Sequence, residues 1–228
     1  MNITLISVGN GGYNLASDLI KANVFPGAQF IVCDTDASLL EKNRATASKS
    51  FLLEKTNRKL SSQDLSDVDE VLADTADTVV VCATLGGKCG STYAPLVALN
   101  AILQGKKVFS IVTLPSEFEG EDRVLRAAKT KAKVITASDS TLMQHNEQLN
   151  QIDGLQLNDM NKPVVDTMLA ALQTYSQTDL MEIRDAKLRE ALIPTIYRID
   201  GNPLLELKGP ISFGITPESR KEVFDSFK

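Results

Sequence analysis

The residues best suited to chemistry lie in two glycine-rich stretches, residues 8–14 (V-G-N-G-G-Y-N) and residues 86–92 (G-G-K-C-G-S-T). Each stretch follows an apolar run typical of a strand and leads into a helical pattern. The first turn of a helix carries unpaired N–H groups and a partial positive charge, so a turn of this kind is suited to hold phosphate. Two such turns in one chain indicate a single nucleotide held between them.

The second stretch combines three kinds of group that bind phosphate: backbone N–H groups beside glycines, hydroxyls and an ammonium group. These come from Gly86, Gly87, Gly90, Ser91, Thr92 and Lys88. We expect the two hydroxyls also to cap the helix that follows. The stretch lacks the G-x-x-x-x-G-K-[ST] spacing of a Walker loop. A capped helix without a ligand is the alternative interpretation.

The first stretch comes close to the dinucleotide-binding pattern G-x-G-x-x-G. Gly9 and Gly11 match it, whereas Asn14 stands where the third glycine allows close packing of helix on strand. Asp34, at the end of the next predicted strand, would bond a ribose in that interpretation. A nicotinamide- or flavin-linked enzyme on a Rossmann-like sheet therefore stays open as an alternative, as does an ordinary tight strand-to-helix turn.

The elements that must position these turns alternate along the chain. Predicted strands cover residues 3–8, 30–33, 78–82, 108–112 and 134–136, and predicted helices cover residues 14–21, 37–42, 91–103 and 121–128. This alternation predicts an α/β fold, a Rossmann-like and mostly parallel sheet with helices on both faces. Ligands of such sheets bind beyond the carboxyl ends of the strands, where both glycine-rich stretches lie.

The remaining segments carry weaker patterns. Residues 43–76 are polar, with a helix start at 61–64 and a short helix at 68–72, and residues 144–162 predict a surface segment. Helices are predicted at 163–175 and 179–192, a β-hairpin joins 195–199 to 204–207, and 211–215 predicts a short strand. An exposed edge of that hairpin would favour pairing between chains. We expect a nucleotide-binding domain over residues 1–178 and a core helix with a short β extension over 179–228.

Composition excludes several classes of function. Of the 228 residues, 24 are Lys or Arg and 29 are Asp or Glu, so nothing favours nucleic acid as a partner. The apolar runs are shorter than the ~20 residues of a membrane helix, and the first strand leaves no room for a signal peptide. Three cysteines without paired spacing fit a reducing cytoplasm. One histidine, His145, predicts no metal site.

Four stretches of the chain follow one another in a telling order: residues 8–14 (V-G-N-G-G-Y-N), 34–36 (D-T-D), 83–98 (A-T-L-G-G-K-C-G-S-T-Y-A-P-L-V-A) and 113–120 (T-L-P-S-E-F-E-G). With these stretches the chain resembles the tubulin/FtsZ superfamily of GTP-binding, filament-forming proteins. The corresponding family motifs are V-G-G-G-G-G-N, N-T-D, the FtsZ signature A-G-M-G-G-G-T-G-T-G-A-A-P-V-V-A, and T-K-P-F-S-F-E-G. These motifs follow the family's order through about the first 140 residues.

The resemblance implies a site for GTP or GDP, with Mg²⁺ bound alongside the nucleotide. Gly11, Gly12 and Asn14 would hold phosphate and base, and Gly86, Gly87, Gly90 and Ser91 would cradle the diphosphate. Glu119 and Arg123 would contact ribose and phosphate, although their spacing also fits an i,i+4 pair on a helix face. Asp159 would bond the guanine edge, with Leu155 where the family stacks an aromatic ring.

The resemblance also implies head-to-tail assembly with GTP hydrolysis. Glu182 and Asp185 match the family's D-x-x-D, which completes the neighbour's active site and positions the attacking water; a solvated helix with charged residues is the alternative. Residues 43–76 hold no counterpart of the family's G-A-G-A-N-P loop, and about 35 residues stand where the family has a second domain. We expect a weak GTPase that self-assembles. The alternative is a non-hydrolysing regulator of the same fold, a partner of another FtsZ-like protein.

Overall fold

The computed structural model describes residues 2–54, 62–152, 154–156, 159–174, 198–199 and 202–208. The strands in the described part are β1 (Ile3–Val8), β2 (Gln29–Asp34), β3 (Lys49–Leu52), β4 (Thr78–Thr84), β5 (Lys107–Leu114), β6 (Ser140–His145), β7 (Arg198–Ile199), β8 (Asn202–Pro203) and β9 (Leu205–Lys208). The α-helices are α1 (Gly9–Lys21), α2 (Ala37–Asn43), α3 (Ser62–Leu72), α4 (Lys88–Leu103), α5 (Glu121–Thr136), α6 (Asn146–Leu149) and α7 (Lys162–Thr174). Short 3-10 turns cover Arg44–Thr46 and Glu117–Glu119.

Seven strands form one sheet in the order β3-β2-β1-β4-β5-β6-β9. Every neighbouring pair from β3 to β6 is parallel, and β9 is antiparallel to β6. Alternate residues of a strand point to opposite faces, and both faces are buried. Leu5 packs with α1 residues such as Leu15 and Leu19, whereas Ile6 packs with α4 residues such as Tyr93. The predicted α/β fold with helices on both faces is confirmed.

One predicted strand is wrong. Residues 134–136 are the last turn of α5, and the strand that follows β5 is β6. The run Val134-Ile135-Thr136 is β-branched, which favours a strand locally, but Val134 is buried on the inner face of a long amphipathic helix. β6 was not predicted because the polar residues Thr141 and Gln144 interrupt its apolar pattern, although both are buried.

Residues 43–76 contain a strand that the pattern does not reveal. β3 covers Lys49–Leu52 and lies at the edge of the sheet beside β2. Its side chains are half-buried or exposed, so its sequence carries no continuous apolar run. The helix expected at 68–72 is the end of the longer α3.

In the described residues, the strands of the C-terminal segment pair differently from the prediction. β7 pairs with β8 over two residues each, whereas β9 pairs with β6 from Gln144↔Leu205 to Thr141↔Lys208. Most of the predicted strand at 204–207 therefore lies in β9, which extends the main sheet beside β6. The helix predicted at 163–175 is present as α7. The helix predicted at 179–192 and the strand predicted at 211–215 lie outside the described residues.

Among the described residues, no helix combines the length and the apolar character that crossing a membrane demands.

Candidate functional site

The two glycine-rich turns lie side by side at one edge of the sheet. β1 and β4 are neighbours, with Val8 opposite Ala83, and each strand ends in one of the turns. The strand order runs outward from this pair in both directions, β1-β2-β3 on one side and β4-β5-β6 on the other. This is the switch point at which open parallel sheets bind ligands.

The starts of α1 and α4 meet at this edge. A Cβ atom added to Gly9 would lie 3.3 Å from the Cβ of Cys89 and 3.4 Å from the N atom of Gly90. The N-cap residues are Val8 and Gly87, and neither carries a polar side chain that could cap its helix. Two sets of first-turn N–H groups, each with a partial positive charge, therefore converge. Such a pair is suited to bind an anion.

Three of the predicted glycines serve the close packing of these helices on β4. A Cβ on Gly12 would lie 2.3 Å from the carbonyl oxygen of Cys82, and a Cβ on Gly90 would lie 2.4 Å from that of Thr84. A Cβ on Gly11 would lie 2.3 Å from Oγ1 of Thr84. Both helices begin earlier than predicted, at Gly9 and Lys88 rather than at residues 14 and 91, so these glycines belong to first turns.

Gly86 and Gly87 differ from the packing glycines. Gly86 has a φ of +98°, which favours glycine, and a Cβ there would lie 3.0 Å from both the Arg123 carbonyl oxygen and Cγ of Pro115. Gly87 has an ordinary extended backbone, with φ −70° and ψ 148°. Among the described residues outside its chain neighbours, the atom nearest to a Cβ on Gly87 is the Thr84 carbonyl oxygen at 3.7 Å. Neither packing nor backbone conformation requires a glycine at position 87.

The prediction that Ser91 and Thr92 cap α4 is wrong. The helix begins at Lys88, so both residues lie inside it, and Ser91 Oγ accepts a 2.8 Å hydrogen bond from the Gly86 N–H. Ser91 therefore holds the preceding loop. Thr92 is half-buried in the helix, and Lys88 is exposed at its first position.

Glu119 and Arg123 form the ion pair that their spacing suggests. Arg123 Nη1 donates to Glu119 Oε2 at 2.9 Å, and Glu119 Oε1 accepts from the Ser116 N–H at 3.2 Å. The pair lies beside the second glycine-rich turn, because the Arg123 backbone is within contact distance of Gly86. The position of Glu119 and Arg123 is therefore compatible both with an ion pair on the protein surface and with contacts to a ribose and a phosphate.

Asp34 is buried, with 4% of its surface exposed. Its Oδ1 accepts hydrogen bonds from the N–H groups of Thr35 at 2.7 Å and Asp36 at 3.1 Å. The carboxylate thus organises the turn after β2, and Asp36 in turn caps α2 by accepting from the Ser38 N–H. This arrangement does not favour the ribose contact that the dinucleotide interpretation assigns to Asp34.

The base-binding candidates lie in α1 and in the segment that precedes α7. Asn14 is exposed, and Asp18, one turn later, accepts a 2.8 Å hydrogen bond from Asn161 Nδ2. That bond brings the segment containing the exposed Asp159 next to the same helix. Leu155 packs against the apolar cluster on this face of the sheet. Glu182 and Asp185 lie outside the described residues.

The cysteines near the site are neutral thiols at neutral pH. Burial raises the pKa of Cys89 to about 12, and the nearby Asp34 carboxylate adds to the shift. Burial likewise raises the pKa of Cys33 and of Cys82. Across the described ranges, no three His, Cys, Asp or Glu side chains gather as metal ligands.

Sequence reasoning missed three residues that tie the second turn, α4 and β4 to neighbouring segments. Arg126 Nη1 donates to the Gly86 carbonyl, Tyr93 donates its hydroxyl proton to the Glu54 carbonyl at 2.9 Å, and Thr113 donates to Thr84 Oγ1 at 3.0 Å. The only signal for Arg126 was a second arginine three residues after Arg123. Tyr93 and Thr113 read as ordinary helix and strand residues.

Comparison with known proteins decides the family. Residues 2–154 match the family model described as the tubulin/FtsZ family, GTPase domain. The chain belongs to the tubulin/FtsZ family. The cell division protein FtsZ of Mycoplasmopsis pulmonis (strain UAB CTIP) is 31% identical over 231 residues, covering 97% of this chain and 57% of that relative. The resemblance inferred from the four motifs is confirmed.

Solved structures of tubulin/FtsZ proteins share the fold. The FtsZ dimer of M. jannaschii superimposes with a TM-score of 0.61 at 24% identity, covering 81% of this chain and 56% of that one. CetZ1 from Haloferax volcanii, a GDP-bound monomer, gives a TM-score of 0.66 at 16% identity, covering 80% of this chain and 63% of that one. The chain spans about half the length of the curated relatives it matches.

Proposed function

We propose that this protein binds GTP or GDP at the edge where β1 and β4 end. The observation that carries the proposal is the convergence of two helix N-termini, with Gly9 of α1 against Cys89 and Gly90 of α4. Their first-turn N–H groups provide donors and partial positive charge for a chain of phosphates. Membership of a family whose matching model is a GTPase domain supports a guanine nucleotide over the nicotinamide alternative.

The nucleotide would lie with its phosphates between the two turns. Gly87 to Gly90 would face them from α4, Gly9 to Gly12 from α1, and Lys88 would add an ammonium group. Arg123 would reach a phosphate or ribose once its pair with Glu119 opens or shifts. Asn14 lies in α1 and Asp159 lies two residues before Asn161, which bonds Asp18 of the same helix; these two residues would contact the ribose and base.

The donor set also fits a magnesium ion that arrives with the nucleotide. Mg²⁺ in nucleotide sites is commonly held by phosphate oxygens and waters with at most one or two carboxylates. Its chemistry would be to neutralise phosphate charge, while the helix N-termini orient the same oxygens.

We further propose that the protein assembles head to tail and hydrolyses GTP weakly, in the cytoplasm and in the service of cell division. Support comes from the family and from the FtsZ relatives, which are named as cell division proteins. Glu182 and Asp185 would act in the neighbouring subunit's site, as general base or water-positioning groups. Because the site is shared between two subunits, turnover per molecule rises with protein concentration.

Two measurements test these proposals. Calorimetric titration of nucleotide-free protein with GTP, GDP, ATP and NAD in the presence of Mg²⁺ should show binding of the guanine nucleotides alone. GTP turnover should then rise steeply with protein concentration in wild type and be lost in Glu182→Gln and Asp185→Asn. A rate per molecule that is independent of concentration would rule out the shared site.

A second candidate is a module that binds guanine nucleotide without turnover and regulates or joins another FtsZ-like protein. It is favoured by the substitutions in the signature, where Lys88 replaces a glycine and Cys89 a threonine. Sedimentation separates the two candidates. Pelleting with GTP but not GDP supports the filament, and no pelleting with either supports the module.

A further inference from the structure

We propose that Arg126 is a positioning residue, which fixes the peptide between Gly86 and Gly87 so that the Gly87 N–H faces the phosphates. The inference rests on the proposed function, since it assigns a task in the binding of a phosphate chain at the β1/β4 edge. Arg126 lies near the start of α5, outside the four motifs that carry the family resemblance.

The contacts of Gly86 show how the loop is held. Its carbonyl oxygen accepts a hydrogen bond from Nη1 of the half-buried Arg126, and its N–H donates to Ser91 Oγ at 2.8 Å. Its φ of +98° lies in the region that favours glycine. Both peptide groups that flank this residue are thus tethered, one by the charged guanidinium and one by a hydroxyl.

Because the peptide bond is planar, the bond from Arg126 to the Gly86 carbonyl also fixes the direction of the Gly87 N–H. In a trans peptide the carbonyl of one residue and the N–H of the next point in opposite directions, and the described residues contain no cis peptide. Arg126 belongs to the helix that follows β5, and β5 and β1 flank β4 on opposite sides. Since the Gly86 carbonyl points to α5, the Gly87 N–H points away from α5, toward the side on which α1 begins.

The surroundings of Gly87 explain why a tether is needed. Among the described atoms outside its chain neighbours, the one nearest to a Cβ on Gly87 is the Thr84 carbonyl oxygen at 3.7 Å, so the space beside this residue is open. A flip of the 86–87 peptide would exchange the N–H for a carbonyl oxygen and present negative partial charge to the phosphates. The charge-assisted bond from Arg126 opposes that flip.

The test compares three variants with wild type. Arg126→Met removes the charge and the donor but keeps an unbranched stem, Arg126→Lys restores a charged donor, and Lys129→Met removes an exposed charge from the same helix as a control. The measurements are the affinities for GDP and for guanosine by competition calorimetry, the ³¹P chemical shift of the bound β-phosphate, and the melting temperature without nucleotide.

We expect Arg126→Met to bind GDP about tenfold more weakly, as for the loss of a hydrogen bond to a charged group. The affinity for guanosine, which has no phosphate, should stay unchanged, and the β-phosphate resonance should shift. Arg126→Lys should recover most of the GDP affinity and the wild-type resonance, and Lys129→Met should match wild type throughout.

Three results would overturn the inference. The first is that Arg126→Met binds GDP as tightly as wild type. The second is that Arg126→Met loses affinity for GDP and for guanosine equally, which would make Arg126 merely structural. The third is that Lys129→Met weakens GDP binding as much as Arg126→Met does, which would reduce the effect to net charge. If wild type binds no guanine nucleotide, the proposed function itself fails and this inference falls with it. Should Arg126→Met not fold, Ser91→Ala, which releases the other tether, must show the same selective loss of GDP affinity.

Discussion

Replacing Gly12 with alanine tests how closely α1 lies against β4. A Cβ at this position would lie 2.3 Å from the Cys82 carbonyl oxygen and 3.1 Å from the Ala83 Cα. Non-bonded carbon atoms prefer separations of about 3.5–4.0 Å, so the overlap is of the order of 1 Å. The atoms in the way are backbone atoms of a central strand and cannot rotate aside. The helix must therefore retreat from the sheet, or β4 must bend.

The expected magnitude follows from two opposing effects. Inserting a methyl group into a well-packed interior costs about 1–3 kcal/mol, whereas replacing glycine by alanine within a helix gains about 1 kcal/mol. Because the clash is with backbone, we take the upper end of the cost and expect a net loss of about 2 kcal/mol. For a chain of this size that lowers Tm by about 4–8 °C.

The assay is thermal and urea unfolding, followed by far-UV circular dichroism without nucleotide. Gly87→Ala is the matched control, because its backbone is extended and a Cβ there meets only the Thr84 carbonyl oxygen at 3.7 Å among the described residues. The control should unfold close to wild type. A Gly12→Ala protein that is as stable as wild type, or more stable, would refute the claim that this glycine is required by packing.

Three further substitutions test other contacts. Tyr93→Phe removes the 2.9 Å hydrogen bond to the Glu54 carbonyl, and the free energy of unfolding in urea should fall by about 1 kcal/mol. Burial lowers the pKa of His145 in the folded state, with the Glu206 carboxylate opposing it. The unfolded chain therefore binds a proton at His145 more readily than the folded protein does, so the free energy of unfolding falls as the pH drops below the ordinary histidine pKa of about 6.5. In urea titrations at a series of pH values, His145→Gln should make that fall less steep. Lys88→Ala should weaken GTP binding and its dependence on salt, measured by calorimetry at two ionic strengths, because an exposed ammonium leaves the start of α4. The expectations would be contradicted by an unchanged free energy of unfolding in Tyr93→Phe, an unchanged pH dependence of stability in His145→Gln, or an unchanged GTP affinity in Lys88→Ala.

Most of the buried strands could be located along the chain from the sequence, because buried parallel strands consist of continuous apolar runs. Residues 3–8 and 78–82 are such runs, and the glycines after them mark the turns. The boundaries of the helices were not accessible. Glycine is a poor helix former, so the pattern placed the helix starts at residues 14 and 91. The close packing of Gly12 and Gly90 against β4 outweighs that propensity, so both glycine-rich turns form the first turns of helices.

The elements that were missed depend on partners distant in sequence. β6 was missed because its buried residues include Thr141 and Gln144, which interrupt the apolar pattern. β9 was predicted as a strand at 204–207, but not its antiparallel pairing with β6, which lies far away in the sequence. The same holds for the site. Arg126 contacts Gly86 only because α5 returns beside the loop after β4, and no local pattern around residue 126 encodes that contact.

Measuring backbone amide shifts on addition of GDP tests the central claim most directly, namely that two helix N-termini hold the phosphates at the β1/β4 edge. In ¹H–¹⁵N spectra of uniformly labelled protein, the account predicts that the amides of Gly9 to Gly12 and of Gly87 to Gly90 shift with GDP in the presence of Mg²⁺. Guanosine should leave these amides in place. If GDP binds and these resonances do not move while others far from this edge do, the site lies elsewhere and the account is wrong.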